Sequence, residues 1–347
     1  MDSSPNVFLL RLAGRLAATL MTLTTCLWTF WGISELYYEG WGLPFPEPLA
    51  YLVPAALCLA LSLLALRHPR LGGWILFLGG AGFTLLWWGL AWRRLGAPTP
   101  AALVGMIPVS ALLCVTGGLF LLEARYRAQS GTVGVGGRTC LALTGGLPLL
   151  IALTVTLLEL PPLLRRYDDG GRGLRRISAP GVDLLWAPQG PGWNWKQAWG
   201  GYPSWNDLAL YGKPPRGLEG KSGLWADAGD MQSSGLCAYL SADGLTLSET
   251  PLYIWRMPTV EELVGSLTRN GQSAACLWNG GLGPAACALR PDKETPLWDP
   301  SAPPIYYWAA EEFDSEQAYF VNYRGVVNIQ PKDFGNPRHG YRCARAP

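Results

Sequence analysis

"IWRMPTVEELVGSL", Ile254 to Leu267, is the stretch on which the reading of the second half of this 347-residue chain turns. Thr259 is a good N-cap and Glu262 stands three residues later. Thr-Val-Glu-Glu therefore has the form of a capping box, in which each side chain accepts a hydrogen bond from the other residue's backbone N–H. Pro258 keeps the residue before it extended. Val260, Leu263, Val264 and Leu267 recur at helical spacing and make one apolar face. The local expectation is a capped amphipathic helix entered from an extended Trp-Arg-Met-Pro segment. Upstream, "LWADAGDMQSSGLCAYLSA" (Leu224–Ala242) carries Leu224, Ala228, Met231, Leu236, Tyr239 and Leu240 at helical spacing and predicts a further helix. "VDLLWA" and "AYFVNY" have the composition of strands.

The first half is different in kind. Residues 1–162 hold nine of the 27 Lys and Arg and six of the 25 Asp and Glu, nearly all between long apolar runs. Five runs are long enough for a bilayer, which needs about 20 apolar residues: Leu16–Ile33, Leu49–Leu66, Gly72–Trp92, Ala101–Leu122 and Thr139–Leu158. The first is too long for the apolar core of a cleaved signal, and no small-x-small site follows it. It reads as an uncleaved signal anchor. Trp28, Trp31, Tyr37, Tyr38 and Trp41 gather at its end, and Trp87, Trp88 and Trp92 at the end of the third run, as interface aromatics do.

Arginine counting does not orient these spans. With the N-terminus in the cytoplasm, Arg11, Arg15, Arg67, Arg70, Arg125, Arg127 and Arg138 lie inside. Arg93, Arg94, Arg165, Arg166, Arg172, Arg175 and Arg176 lie outside. The first loop, Glu35 to Glu47, has three Glu and no Lys or Arg, and the first helix usually dominates orientation. The expectation is a cytoplasmic N-terminus and, after five crossings, an extracytoplasmic C-terminal half, periplasmic or on the cell surface.

The span interiors carry no ionisable side chain, since Glu123, Arg138 and Glu159 stand at ends. Transporters and channels place such groups along their pathways, so that class is disfavoured. Paired-histidine haem ligation is disfavoured too, because His68 and His339 are the only histidines. Small residues are frequent: Gly79, Gly80 and Gly82, Gly117 and Gly118, Gly145 and Gly146. They suit close helix packing within the bundle, or a surface for other membrane subunits. Pro108 and Pro148 within spans are expected to kink them. The near-neutral net charge of +2 and the lack of a basic stripe give no sign of nucleic-acid binding.

"LPPLLRRYDDGGRGLRRISAPG" (Leu160–Gly181) marks the boundary. Two prolines are expected to end the fifth helix, and Arg, Asp and Gly then give a linker composition. The expected organisation is a membrane domain over 1–162, a linker over 163–181 and an extracytoplasmic domain over 182–347. That last domain holds Cys237, Cys276, Cys287 and Cys343. An even count in a loop-rich extracytoplasmic domain suggests disulfides, with three possible pairings. Cys276 and Cys287 bracket the Gly-rich "CLWNGGLGPAAC" and could close it, which leaves Cys237 and Cys343. Without Cys-x-x-Cys, and with His339 as the single nearby imidazole, a zinc site is disfavoured. Cys26, Cys58, Cys114 and Cys140 in the spans read as small apolar packing residues.

Taken in order, "WADA…C..L", "WRMPTVEEL", "YYWAAEE", "AYFVNYRGVV" and "GYRCARAP" are similar to bacterial C-type-lectin-like domains. The nearest type is the Lcl C-terminal domain, related in fold to the formylglycine-generating sulfatase modifiers. In that type a Trp-Arg-Leu-Pro-Thr-x-x-Glu-Leu segment starts the second helix and an Arg-Cys-x-Arg strand closes the domain. The resemblance covers about Val182 to Arg345. It implies an α+β C-type-lectin-like domain after an all-α membrane bundle, a helix-to-last-strand disulfide at Cys237–Cys343, and use as a scaffold that binds glycans or proteins.

Two departures limit the analogy. A calcium-held sugar site needs a late Trp-Asn-Asp strand, whereas Trp205-Asn206-Asp207 comes before the first predicted helix. "RPDKE" at Arg290–Glu294 has no acidic partner strand. No calcium and no cofactor is expected. The sulfatase modifiers use a reactive cysteine pair, and the cysteines here are assignable to bridges.

Gly190–Gly223 reads as an insertion relative to that type. Its Trp193, Trp195, Trp199, Tyr202 and Trp205 either fill the core or form an aromatic binding surface. The acidic run Glu311, Glu312, Asp314 and Glu316 reads as a solvated loop. No catalytic set assembles. His339 is the only histidine in this half, and Glu261 and Glu262 are adjacent on a helix and face apart. The expected function is a non-catalytic membrane protein that presents a lectin-like domain to a glycan or protein. The alternative is an accessory subunit of a larger membrane complex, with the domain capping its outer face. A membrane enzyme acting on lipid-linked sugars is a remote third.

Overall fold

The computed structural model describes residues 5–95, 100, 104–105, 107–131, 137–196, 201–218, 223–335 and 338–347. The chain divides into two compact units, Met1–Gly40 with Pro44–Pro161, and Trp41–Leu43 with Pro162–Pro347.

The first unit is built on helices α1 (Pro5–Tyr38), α2 (Val53–Arg67), α3 (Pro69–Leu95), α4 (Ile107–Ser130) and α5 (Arg138–Leu164). All five are long and apolar enough to cross a membrane. Their mutual contacts rely on small and hydroxylated residues, because hydrocarbon outside offers no hydrophobic drive between helices. A Cβ on Gly117 would lie 2.6 Å from the Gly73 carbonyl oxygen, so α3 and α4 approach backbone to backbone there. Thr25 of α1 meets Ser62 of α2 at 3.1 Å, and Thr22 meets Thr144 of α5 at 2.8 Å. Glu123 is fully buried in α4 and is paired at 3.0 Å with Arg127, whose guanidinium donates to the Leu66 and Arg67 carbonyls at the end of α2. That contact caps otherwise orphaned helix-end carbonyls.

Two expectations about proline need correction. Pro108 is the second residue of α4, in the first turn, where a missing N–H costs nothing. Pro161 and Pro162 do not end α5, which runs on to Leu164. Proline's fixed φ is itself helical. The helix closes only at Arg165 and Arg166, whose N–H groups donate back three residues to Pro162 and Leu163.

The second unit is rich in strands. It opens with an antiparallel hairpin, β1 (Arg175–Ala179) and β2 (Val182–Trp186), with Ala179 opposite Val182 across Pro180-Gly181. Gly181 adopts φ +81°, the left-handed value that a Pro-Gly turn demands at its second centre. Three short helices follow: α6 (Trp205–Ala209), α7 (Ala228–Ser233) and α8 (Val260–Gly265). Then come β3 (Thr268–Arg269), β4 (Gln272–Ser273), β5 (Cys276–Leu277), β6 (Gly283–Pro284), β7 (Ala286–Cys287), β8 (Tyr306–Glu312), β9 (Gln317–Asn322), β10 (Val326–Pro331), β11 (His339–Gly340) and β12 (Ala344–Arg345). One sheet has the order β1-β2-β12. The larger has the order β11-β8-β9-β10-β6, with β11 parallel to β8.

Each short helix is capped in the same way. Ser204 and Asp207, Asp227 and Asp230, and Thr259 and Glu262 all form complete capping boxes. Helices of five or six residues are too short to persist on propensity alone, so caps and packing sustain them. Leu224–Ala242 is not one helix. It breaks after Ser233 into α7 and a 3-10 turn over Leu236–Tyr239. Gly235 marks the break: a Cβ there would lie 2.2 Å from the Met231 carbonyl oxygen.

The opening stretch forms a junction between the two ends of the unit. Arg256 pairs its backbone with Ala344 in both directions, at 3.0 and 2.9 Å. Its guanidinium grips Glu262 through both nitrogens. The Pro258 carbonyl accepts from Ala310 N at 2.8 Å, and Val260 N donates to Glu311 at 3.0 Å. Val260, Leu263, Val264 and Leu267 are all buried. Cys237 and Cys343 are joined, closing 106 residues, and Cys276 and Cys287 are joined across 11.

Residues 163–181, read from composition as a linker, belong to this unit. Arg166 pairs with Asp292 at 2.9 Å, Arg175 with Asp169 at 2.7 Å, and Arg172 with both Asp168 and Asp299 at 2.8 Å. Arg166, Arg172, Arg175 and Arg176, with Asp168 and Asp169, thus find partners in one another, in β2 or in later loops.

Replacing Thr259 by Ala in the full-length chain should destabilise the second unit by about 1 kcal/mol, while Thr259→Ser should not. Denaturant titration followed by tryptophan fluorescence measures both. Equal effects of the two variants would refute the cap's contribution.

Candidate functional site

The site is a cleft of about 390 Å³ in the second unit. It forms where "QGPGWNWK" (Gln189–Lys196) faces the loop after Trp298. Two close approaches shape the first wall. A Cβ on Gly192 would lie 2.5 Å from Leu240 and 2.8 Å from the Ala187 Cβ, so any larger residue forces its neighbours to shift. Asn194 adopts φ +54°, a left-handed value that Asn tolerates better than other non-glycine residues. The turn therefore buries Trp193 and leaves Trp195 and Lys196 outward.

Trp193 and Tyr202 make the floor; they are 1% and 3% exposed. The Trp193 indole donates to the Tyr307 hydroxyl at 2.7 Å, and the Arg342 guanidinium lies over its ring at 3.6 Å. The Asn194 amide, oriented to donate to the Tyr341 carbonyl and to accept from the Trp193 indole, braces the floor from within. Gln189, Lys196 and Ser301 are exposed at the mouth, with the Lys196 ammonium 5.6 Å from the centre of the Tyr202 ring.

Asp299 lines the opposite wall. One carboxylate oxygen takes Arg172 at 2.8 Å and the Ser301 N–H at 3.0 Å. Burial, helped by the Asp299 charge, pushes the Tyr202 phenol up to about 12. Behind the wall, Lys293 is fully buried and donates to the carbonyl of Ala302, another lining residue. Burial, with Arg166 adding to it, pushes this amine down to about 7.

Of the five aromatic residues considered for a binding surface, Trp193, Tyr202 and Trp205 are interior. Trp205 is fully buried and its indole donates to the Ala309 carbonyl at 2.8 Å. Trp195 is 37% exposed, and Trp199 lies outside the described residues. The aromatic content of this segment thus serves mostly as core, and an open platform built from all five does not form. Trp205-Asn206-Asp207 has a structural account: the triplet is the first turn of α6. Asn206 holds Leu224 and Ala226 by their backbones, and Asp207 closes the box with Ser204.

"RPDKE" is internal from Pro291 on. Asp292 pairs with Arg166 and Arg269, and Glu294 is buried against Arg269. The acidic run is not a solvated loop throughout: Glu311 receives Val260 N, and Glu312 receives the buried Lys332. His339 is 2% exposed, in β11, with the rings of Tyr306, Trp308, Phe320 and Phe334 around it. A general base needs to reach its substrate's proton, and this position does not offer that access.

Sequence reasoning passed over the buried basic residues Arg342, Lys293 and Lys332, and the polar residues of the cleft. No protein-family model, curated protein or solved structure matches the chain.

Burial, reinforced by Arg338, pushes His339 down from 6.5 to about 3. The unfolded chain therefore binds a proton between those values that the folded chain does not, and stability must fall as pH drops below about 6.5. Thermal melts of wild type and His339→Phe between pH 7.5 and 4.5 test this. The wild type should lose more of its midpoint on acidification, and parallel curves would refute the assignment.

Proposed function

We propose that this chain is a non-catalytic membrane protein whose C-terminal unit is a C-type-lectin-like domain that binds a glycan or a protein outside the cytoplasm. The observation that carries the reading is the open polar cleft on a unit stapled by two long-range contacts of different kind, the Cys237–Cys343 bridge and the Arg256–Ala344 pairing. Two disulfides suit an oxidising compartment. Five crossings from a cytoplasmic N-terminus lead there. The order of the motifs around Trp255, Tyr306 and Arg342 supports the lectin-like assignment. The polar groups at the cleft suit ligand binding; among the described residues none is a poised nucleophile with a base beside it.

A second reading, an accessory subunit of a membrane complex, has its own support. A Cβ on Gly79, Gly82, Gly118, Gly145 or Gly146 would meet nothing within 4 Å. Such glycines leave room for other helices. Extraction in mild detergent separates the two readings. A lone 37.7 kDa protomer in its micelle favours an independent binder, and stoichiometric co-purifying membrane proteins favour the subunit.

Placing a cysteine at the exposed Ala242 gives a topology test. On sealed cells or right-side-out vesicles, an impermeant maleimide should label Ala242→Cys at the same rate before and after permeabilisation. Labelling that requires permeabilisation overturns the extracytoplasmic assignment.

A further inference from the structure

We propose that the cleft between Trp193 and Asp299 takes a sugar that carries a negative charge, a carboxylate or a phosphate, with Lys196 as the residue that reads the charge. This rests on the binding reading above and names the ligand class of that cleft.

The charge balance favours an anion. Among the described residues Asp299 is the one acidic residue lining the cleft, and Arg172 donates to it at 2.8 Å while also pairing with Asp168. With Arg172, Arg342 on the far side of Trp193 and Lys196 at the mouth, the cations around the cleft outnumber the two carboxylates Asp299 and Asp168. Lys196, at the mouth, touches the Tyr202 ring and makes no ion pair among the described residues. An exposed ammonium at a mouth with this excess of positive charge attracts negative charge and repels cations.

Size and polarity favour a hydroxylated ring over a bare ion. A cleft of about 390 Å³ is at the small end of the range for organic ligands, and far larger than a lone carboxylate or phosphate needs. Gln189 supplies a carboxamide, Ser301 a hydroxyl and Tyr202 a phenol, each able both to donate and to accept. Ligand hydroxyls have the same dual character. Burial and the nearby Asp299 keep the Tyr202 phenol protonated, so it stays a donor at all ordinary pH. Trp195, exposed one residue from Lys196, offers an aromatic face for the C–H face of a sugar.

The test uses the full-length chain in nanodiscs and ligand-observed NMR with four probes: glucuronate, glucose 6-phosphate, glucose, and a mixture of acetate and inorganic phosphate. At least one charged sugar should bind about tenfold more tightly than glucose, the size of one charge-assisted hydrogen bond. Lys196→Gln should abolish that preference and Lys196→Arg should keep it. Ser301→Ala should weaken charged and neutral sugars alike. Which charged sugar binds separates a carboxylate ligand from a phosphate ligand.

Equal binding of glucose overturns the inference, as does a preference that survives in Lys196→Gln. If acetate and phosphate bind as well as the charged sugars, the cleft is only an anion site and the inference fails. If no probe binds while an intact glycan or protein partner is captured at another face, the inference falls and the binding reading stands. If neither probe nor partner binds, both fall.

Discussion

The second unit is organised around a buried positive charge. Arg342 has no exposed surface, and its guanidinium donates to the carbonyls of Ala187, Pro296 and Leu297. Those three carbonyls belong to the end of the first hairpin and to the loop that carries the cleft's far wall. A desolvated cation is costly unless hydrogen-bonded, and burial pushes this guanidinium's proton affinity down, yet a guanidinium stays charged in proteins. The requirement is therefore strict: two segments far apart in sequence, at Ala187 and at Pro296–Leu297, must bring their carbonyl oxygens to one place. Trp193 completes the enclosure from 3.6 Å. The disulfide from the next residue, Cys343, to Cys237 holds the last strand where the guanidinium can reach. Replacing this cation with an apolar residue would leave the carbonyls unsatisfied, while removing the carbonyls would strand the charge. Each depends on the other, as buried polar networks do.

That arrangement explains why the segment after the membrane region is ordered. Arg172 supplies its carbonyl to Gln189 N and its side chain to Asp299. Arg166 ties to Asp292, beside the buried Lys293. Individually, half-exposed ion pairs contribute little. Here they form a run of four partners over ten residues, and the adjoining β1 adds a full ladder to β2. The result is a short, pinned entry to the second unit, and its pinning residues also set the charge of the cleft.

What the sequence made legible follows from how local each interaction is. The five apolar runs, the Thr259–Glu262 cap and the strands at Val182 and Gln317 depend on periodicity and nearest neighbours; each has its element among the described residues, though the fourth helix runs from Ile107 to Ser130 rather than over Ala101–Leu122. Two local signals were present and carried no weight. Ser204-Trp-Asn-Asp207 is a capping box of the same spacing as the opening one, and Pro180-Gly181 is a hairpin turn that turns supposed linker into β1. Composition masked both, because Trp-rich and Arg/Gly-rich stretches look like insertion and tether. Arg342, Lys293 and Lys332 were out of reach altogether. Nothing near a lysine in sequence says that it will donate to a carbonyl tens of residues away, as Lys332 does to Ala226 at 2.9 Å.

The same distinction separates scaffold from site. Apart from the exposed Glu261, the polar side chains of "WRMPTVEEL" are engaged within the fold: Trp255 with the Ser241 carbonyl, Arg256 with Glu262, and Thr259 with the first turn of α8, while the Pro258 carbonyl pairs with β8. A stretch so fully satisfied has little left for a ligand. The cleft wall is the opposite case. Asn194 is held in a left-handed conformation and Gly192 is squeezed against Leu240, with Lys196 projecting outward beyond them. Backbone in a sparsely populated region persists only when its surroundings determine it, and here Arg342, Tyr307 and Tyr341 do so from below. The well-ordered motif makes the unit fold, and the strained turn beside it is where the molecule has polar groups to spare.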